Sequence, residues 1–260
     1  MQMTRPLMVR GRSVGAGQEP LVCTPLVGRD EAALLGELAA VVAKGPDLIE
    51  WRVDFFTGIA DTARVVALAQ QMRVGAAGIP IIFTRRSIRE GGEAIALDEA
   101  QVLALYVAVS GTGCVDFIDY ELSAPAEHFA QAVALARAHG IPLIASFHNF
   151  VSTPPADEIV AKFVAMEAAG ADIAKVAVMP QGPEDVLTLL RATLDGQRRV
   201  TLPIISMSMG PYGSLSRLFG WVFGSSVSFA VGQKASAPGQ VPIEDLRCVT
   251  RILQRALASQ

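Results

Sequence analysis

A chain of 260 residues, 51% hydrophobic and only 18% charged, has ample material for a buried core and too little charge for disorder. Its 22 basic and 25 acidic residues leave a net charge of −3, which offers no footprint for nucleic acid and no polybasic patch for a membrane surface. Mean hydropathy is +0.39, yet polar residues interrupt every apolar run well short of the roughly 18–20 residues that a spanning helix needs.

Taken in chain order, residues 1–14 lack the apolar core of a signal peptide. Residues 8–18, with Gly11, Gly15 and Gly17, predict a β-hairpin covering one end of the domain. An apolar run at 20–25 follows, then Asp30, which can cap a helix with the stripe Leu34, Leu35, Leu38, Val41 and Val42. Runs at 47–53 and 79–84 precede Asp98, which opens a helix carrying Val102, Leu105, Tyr106 and Val109. After the run at 115–121, Pro125 starts a helix through Phe129, Val133 and Ala136 that stops at Gly140. The run at 141–147 leads to Pro154-Pro155 and a helix with Ile159, Phe163 and Met166, ending at Gly170. Next come the run at 172–178 and a helix from Pro183 through Val186, Leu189 and Leu190, ending near Gly196. Runs at 202–207 and 227–231 precede Pro242 and a last helix with Leu246, Val249 and Leu253.

The runs are rich in Val, Ile and Phe and too continuous for half-exposed strands, which is the pattern of a parallel sheet buried on both faces. Eight strands with intervening helices allow an open doubly wound sheet or a closed barrel. No Gly-x-Gly-x-x-Gly follows the first strand and no P-loop occurs, and 260 residues give about 32 per unit, so the α/β class predicted is a (β/α)₈ TIM barrel. No linker divides it, so residues 1–260 are expected to form one domain. Three scattered cysteines, Cys23, Cys114 and Cys248, predict neither a disulfide framework nor a metal cluster and fit a reducing cytoplasm.

In such a barrel the chemistry sits at the C-terminal ends of the strands. Lys175, inside Ile-Ala-Lys-Val-Ala-Val, shares a face with Ile173 and Ala177 and cannot easily reach water. Burial and neighbouring cations turn an amine into a nucleophile toward a carbonyl, while the plainer alternative is a structural lysine paired with Glu50 or Glu121. His148 stands just past the fifth strand and suits proton transfer near neutral pH, or else closes a loop by hydrogen bonds. His128 and His139 fall in a helix, so a zinc site is not expected. Arg52, Arg86 and Arg217 come from three strand ends and suit a carboxylate or phosphate. Glu50, Glu90 and Asp119 supply anions, Met207 and Met209 read as packing residues, and Gly91-Gly92 and 235–240 read as turns or covers.

The strings Glu50-Trp-Arg-x-Asp54, Arg86-Ser-x-x-Glu90-Gly-Gly, Ser146-x-His148-x-Phe150, Lys175-x-Ala-x-Met-Pro180, Ser206-Met-x-Met-Gly210, Ser216-Arg217 and Ser236-Ala-Pro-Gly-Gln240 resemble those of the type I 3-dehydroquinate dehydratases. The resemblance runs in register along essentially the whole chain. It implies a homodimeric barrel that converts 3-dehydroquinate to 3-dehydroshikimate without metal or cofactor, in the shikimate pathway. It further implies that Lys175 forms an imine with the substrate ketone, that His148 is the general base and acid, and that Glu90 orients it. Glu50, Trp51, Arg52, Arg86, Arg217, Ser236 and Gln240 match substrate-contacting positions, with Arg217 on the carboxylate. Cys23 stands where some members carry a serine near the substrate. Rival readings are another imine-forming lyase of class I aldolase type, a metal-dependent isomerase or lyase using Glu50, Asp119, Glu121 and His148, and a non-catalytic sugar-acid binding barrel.

Overall fold

The computed structural model describes residues 5–15, 19–233 and 236–258. Strands β1 (Leu7–Val9) and β2 (Arg12–Val14) pair antiparallel, Leu7 opposite Val14, as the expected hairpin. Residues Ala16, Gly17 and Gln18 of that segment lie outside the described residues, as do Met1 to Thr4.

All eight apolar runs are strands: β3 (Leu21–Leu26), β4 (Leu48–Arg52), β5 (Ile81–Thr84), β6 (Phe117–Glu121), β7 (Leu143–Asn149), β8 (Ile173–Val178), β9 (Ile204–Ser208) and β10 (Val227–Phe229). They form one parallel sheet in the order β10-β3-β4-β5-β6-β7-β8-β9. The edges β9 and β10 meet: Ile204 bridges Ser225, and the Ser226 N–H donates to the Ile204 carbonyl at 2.8 Å. The result is a nearly closed (β/α)₈ barrel.

Outside it lie α1 (Glu31–Val42), α2 (Thr62–Gly75), α3 (Glu99–Ser110), α4 (Ala126–His139), α5 (Ala156–Ala168), α6 (Pro183–Gly196), α7 (Gly210–Phe219) and α8 (Ile243–Ala258). Asp30 caps α1 by accepting from the Ala33 N–H at 2.8 Å, and Asp98 with Gln101 forms a capping box on α3. Two helices were not singled out by sequence. The buried stripe of α2 is only Val65, Leu68, Ala69 and Met72 among polar residues, and α7 opens Gly-Pro with a further glycine, so packing against the barrel decides both.

Period-2 alternation divides the core in two. Ile144, Ile173, Ala177, Ile205 and Phe229 face the barrel axis, whereas Ala174, Val176 and Val178 face the helices. Val14 joins the axial cluster, and Arg10 and Arg12 pair with Asp116 and Asp47, which stand just ahead of β6 and β4. The hairpin therefore covers the N-terminal end of the barrel and leaves the C-terminal mouth open to chemistry. Strand ends shift by a few residues from expectation, and one shift bears on the site: the fifth strand runs on to Asn149, so His148 lies within it.

Candidate active site

Lys175 points from β8 into the barrel and is 3% exposed. Its Nζ donates to Asp119 Oδ2 at 2.9 Å and Glu50 Oε1 at 3.1 Å, and stands 4.6 Å from the centre of the Phe229 ring. The carboxylate pairing foreseen for a buried lysine is thus present, with Asp119 in place of Glu121. Burial would raise the Asp119 carboxyl, but Arg86 and then Lys175 hold it well below the usual carboxylate range.

His148 enters from the neighbouring strand β7, where Ser146 pairs with Lys175 and His148 with Ala177. Its Nδ1 is 2.8 Å from Glu90 Oε2, and its own backbone N–H donates to the same oxygen at 2.9 Å. Glu90 ends a short 3₁₀ turn (Ile88–Glu90) after β5, closed by Gly91 at φ +82, where a Cβ would meet the Phe150 ring at 2.3 Å. Burial and the nearby Glu121 raise the Glu90 carboxyl to about 7, against Arg86 and a hydrogen bond from Ser123. Burial, then the Arg86 and Lys175 cations, push the imidazole well below its ordinary value. A neutral ring whose Nδ1–H donates to ionised Glu90 keeps a free lone pair on Nε2, which is the form a general base requires.

Arg86 and Arg52 have their anions in place. Arg86 donates to Asp119 at 2.7 Å, Ser146 at 2.8 Å and Glu121 at 3.1 Å, and the Arg52 fork grips Asp54 at 2.7 and 2.8 Å. Arg217, 2% exposed, is different. It reaches only the Met207 sulfur at 3.5 Å and the carbonyls of Phe229 and Pro238 at 3.3 and 3.4 Å, with no carboxylate partner among the described residues. Burial without an anion lowers its pKa to about 10. A buried cation in this state has donors that an anion could satisfy.

Glu50, Arg52, Arg86, Glu90, His148, Lys175, Arg217, Ser236 and Gln240 all line one cavity of about 40 Å³ at the C-terminal mouth. Ser236 and Gln240 bond to each other across their loop, the backbone N–H of Ser236 donating to Gln240 Oε1 at 3.0 Å. That loop seats on the start of α7, because Gly239 at φ +80 brings its backbone where a Cβ would lie 2.0 Å from the Gly210 carbonyl. Residues Lys234 and Ala235 of the expected loop lie outside the described residues.

The expectation of a substrate contact by Trp51 is corrected. It alternates with Glu50 and Arg52, so it faces the helices, fully buried and edge-on to Phe83 and Phe56 with ring centres 5.4 and 6.5 Å away. Cys23 is buried in the axial cluster, away from the cavity lining, where burial pushes its thiol up. Met207 and Met209 pack in the axial cluster, as read, and also form cavity walls. Phe150, Phe229 and Ser123 were not foreseen; the strand alternation of Val227 and Phe229 was the available signal for Phe229. Among the described residues no three imidazole, thiol or carboxylate groups converge as a metal site.

A nearly closed (β/α)₈ barrel with a buried amine, an imidazole–carboxylate pair and, among the described residues, a guanidinium without a carboxylate partner at its C-terminal mouth is the arrangement of a barrel enzyme acting on a small molecule. The model of the type I 3-dehydroquinase family matches residues 22–256, and the chain belongs to that family. It is accordingly a dehydratase, a carbon–oxygen lyase of the shikimate pathway. A 3-dehydroquinate dehydratase of Aromatoleum aromaticum is 70% identical over 260 residues, covering 100% of both chains. The crystal structure of 3-dehydroquinate dehydratase from Geobacillus kaustophilus superposes with a TM-score of 0.95 at 46% identity, covering 98% of this chain and 99% of that one. A type I 3-dehydroquinate dehydratase from Clostridium difficile, solved with covalent modified comenic acid, gives 0.93 at 36% identity, with coverage of 98% and 100%. No helix among the described residues is long and apolar enough to cross a membrane.

Proposed function

We propose that residues 1–260 act as one catalytic domain that removes water from 3-dehydroquinate to give 3-dehydroshikimate through an imine on Lys175, in a cytoplasmic homodimer. Family membership supports the substrate and the dimer. The observation that carries the mechanism is the Lys175 amine, buried between Glu50 and Asp119 in the same cavity as His148 and Arg217.

Nζ gives up one proton to water before attack, its remaining hydrogens directed at Glu50 and Asp119, and the freed lone pair meets the ketone. Attack and loss of water give a protonated imine, an electron sink beside the C2 carbon. His148 Nε2 takes the C2 proton, and the C–H electron pair moves to the imine nitrogen as an enamine. The enamine pair then expels the C1 hydroxyl, which leaves as water with the proton returned by His148. Water hydrolyses the remaining imine, releasing the enone and the amine. Arg217 holds the substrate carboxylate; Glu50, Arg52, Arg86, Ser236 and Gln240 surround the ring.

Borohydride added with 3-dehydroquinate is expected to leave one stable adduct, located on Lys175 by peptide mass. Turnover with no trapped lysine, or a trapped lysine elsewhere, would end the imine reading. Arg217→Ala is expected to raise KM for 3-dehydroquinate about 10–100-fold, the scale of one charge-assisted hydrogen bond, with a smaller change in kcat. An unchanged KM would remove Arg217 from the carboxylate.

A further inference from the structure

Glu90 is reached from two sides. From the substrate side, His148 bonds to Oε2 through Nδ1 and its backbone N–H. From the other side, the Ser123 hydroxyl donates to Oε1 at 2.5 Å. Ser123 is an exposed residue in the turn between β6 and α4, and it does not line the substrate cavity. It lines a second cavity, of about 70 Å³, together with Arg85, Ser87, Arg89 and Glu121. A solvent-side hydroxyl thus reaches a carboxylate that is itself only 4% exposed.

We propose that Ser123 is a positioning residue of the dehydration, turning Glu90 and keeping it ionised so that the carboxylate accepts the Nδ1–H of His148. The proposal rests on the reading of His148 as the base. The charge of Glu90 is contested by its surroundings: Glu121 and Asp119 oppose it from β6, and Arg86 Nη1 supports it from 3.8 Å on its own loop. Neutral His148 from β7 adds a donor and no charge. Among the described residues Ser123 supplies the hydrogen bond to Oε1. An O–H donated to a carboxylate favours the charged form, so its loss raises the pH at which Glu90 takes a proton. Protonated Glu90 would instead present an O–H to Nδ1, placing the ring hydrogen on Nε2 and removing the base. The sign follows: activity is lost on the acid side, and Ser123→Ala moves that limb upward.

The test is the pH profile of kcat/KM with 3-dehydroquinate for the unaltered protein, Ser123→Ala and Ser123→Thr. It is joined to an infrared titration of the Glu90 carboxyl band, assigned by its absence in Glu90→Gln. For Ser123→Ala the acid limb and the band are each expected to move up about one pH unit, on the scale of one hydrogen bond to a charged group. At pH 6 this is about a tenfold loss, with rates above pH 9 within about twofold of the unaltered protein. Ser123→Thr, which keeps the hydroxyl, is expected to restore both. An unmoved band overturns the proposal whatever the turnover, and so does a moved band with an unmoved limb or a loss equal at every pH. Failure of the base assignment itself is read separately, from a His148→Ala variant that keeps its rate.

Discussion

Lys175→Ala is expected to lose at least about 10⁴-fold in kcat for 3-dehydroquinate dehydration, the scale seen when a covalent nucleophile is removed. The proposed route has no substitute for it. The imine converts a weakly acidic C–H beside a ketone into one beside a positive nitrogen, and the other cations of the cavity cannot form that bond. Arg52 and Arg86 are committed to carboxylates, and none of the guanidinium groups is nucleophilic at neutral pH. Removing the amine also leaves Glu50 and Asp119 with a cation fewer, so the variant must first be shown to be folded by circular dichroism. Lys175→Met, which keeps most of the volume, provides the control. Substrate binding should survive in both variants, because Arg217 and the mouth residues remain. A folded variant that retained more than about one hundredth of the rate would refute covalent catalysis by this lysine.

His148→Ala is expected to separate binding and imine formation from proton transfer. The borohydride adduct on Lys175 should still appear, while turnover falls at least about 100-fold, a usual loss for a general base. The physical ground is that the ring is buried and neutral, with Glu90 fixing Nδ1, so its other nitrogen carries the basic lone pair. Because burial and Glu121 raise the Glu90 carboxyl to about 7, activity of the unaltered protein should fall as pH drops through that value. In the same pH range the residual rate of His148→Ala should lose this dependence. A residual rate that kept the same acid limb would mean that Glu90 acts on some group other than His148.

Much of this site was legible before any coordinate. The strand ends nominated Glu50, Arg52, Arg86, His148 and Lys175, and these line one cavity together with Arg217, which was read as a strand-end residue but lies on α7. Trp51 shows the limit of reading by string: it sits in the same motif as Glu50 and Arg52, yet alternation turns it to the other face. Ser123 shows another. Nothing in Leu-Ser-Ala-Pro distinguishes it from an ordinary turn serine, and its partner lies 33 residues away.

The chain by itself determined the eight-strand repeat, six of the eight helices and the inward face of β8. Burial on both sides demands continuous apolar runs, and a strand offers its two faces with a period of two, so these properties are local and written in order. Only the tertiary structure decided which charges meet. Lys175 finds Glu50 from 125 residues away and Asp119 from 56, while Arg217 finds no carboxylate among the described residues. Electrostatic energy depends on distance and burial, which are set by barrel closure and not by neighbourhood along the chain.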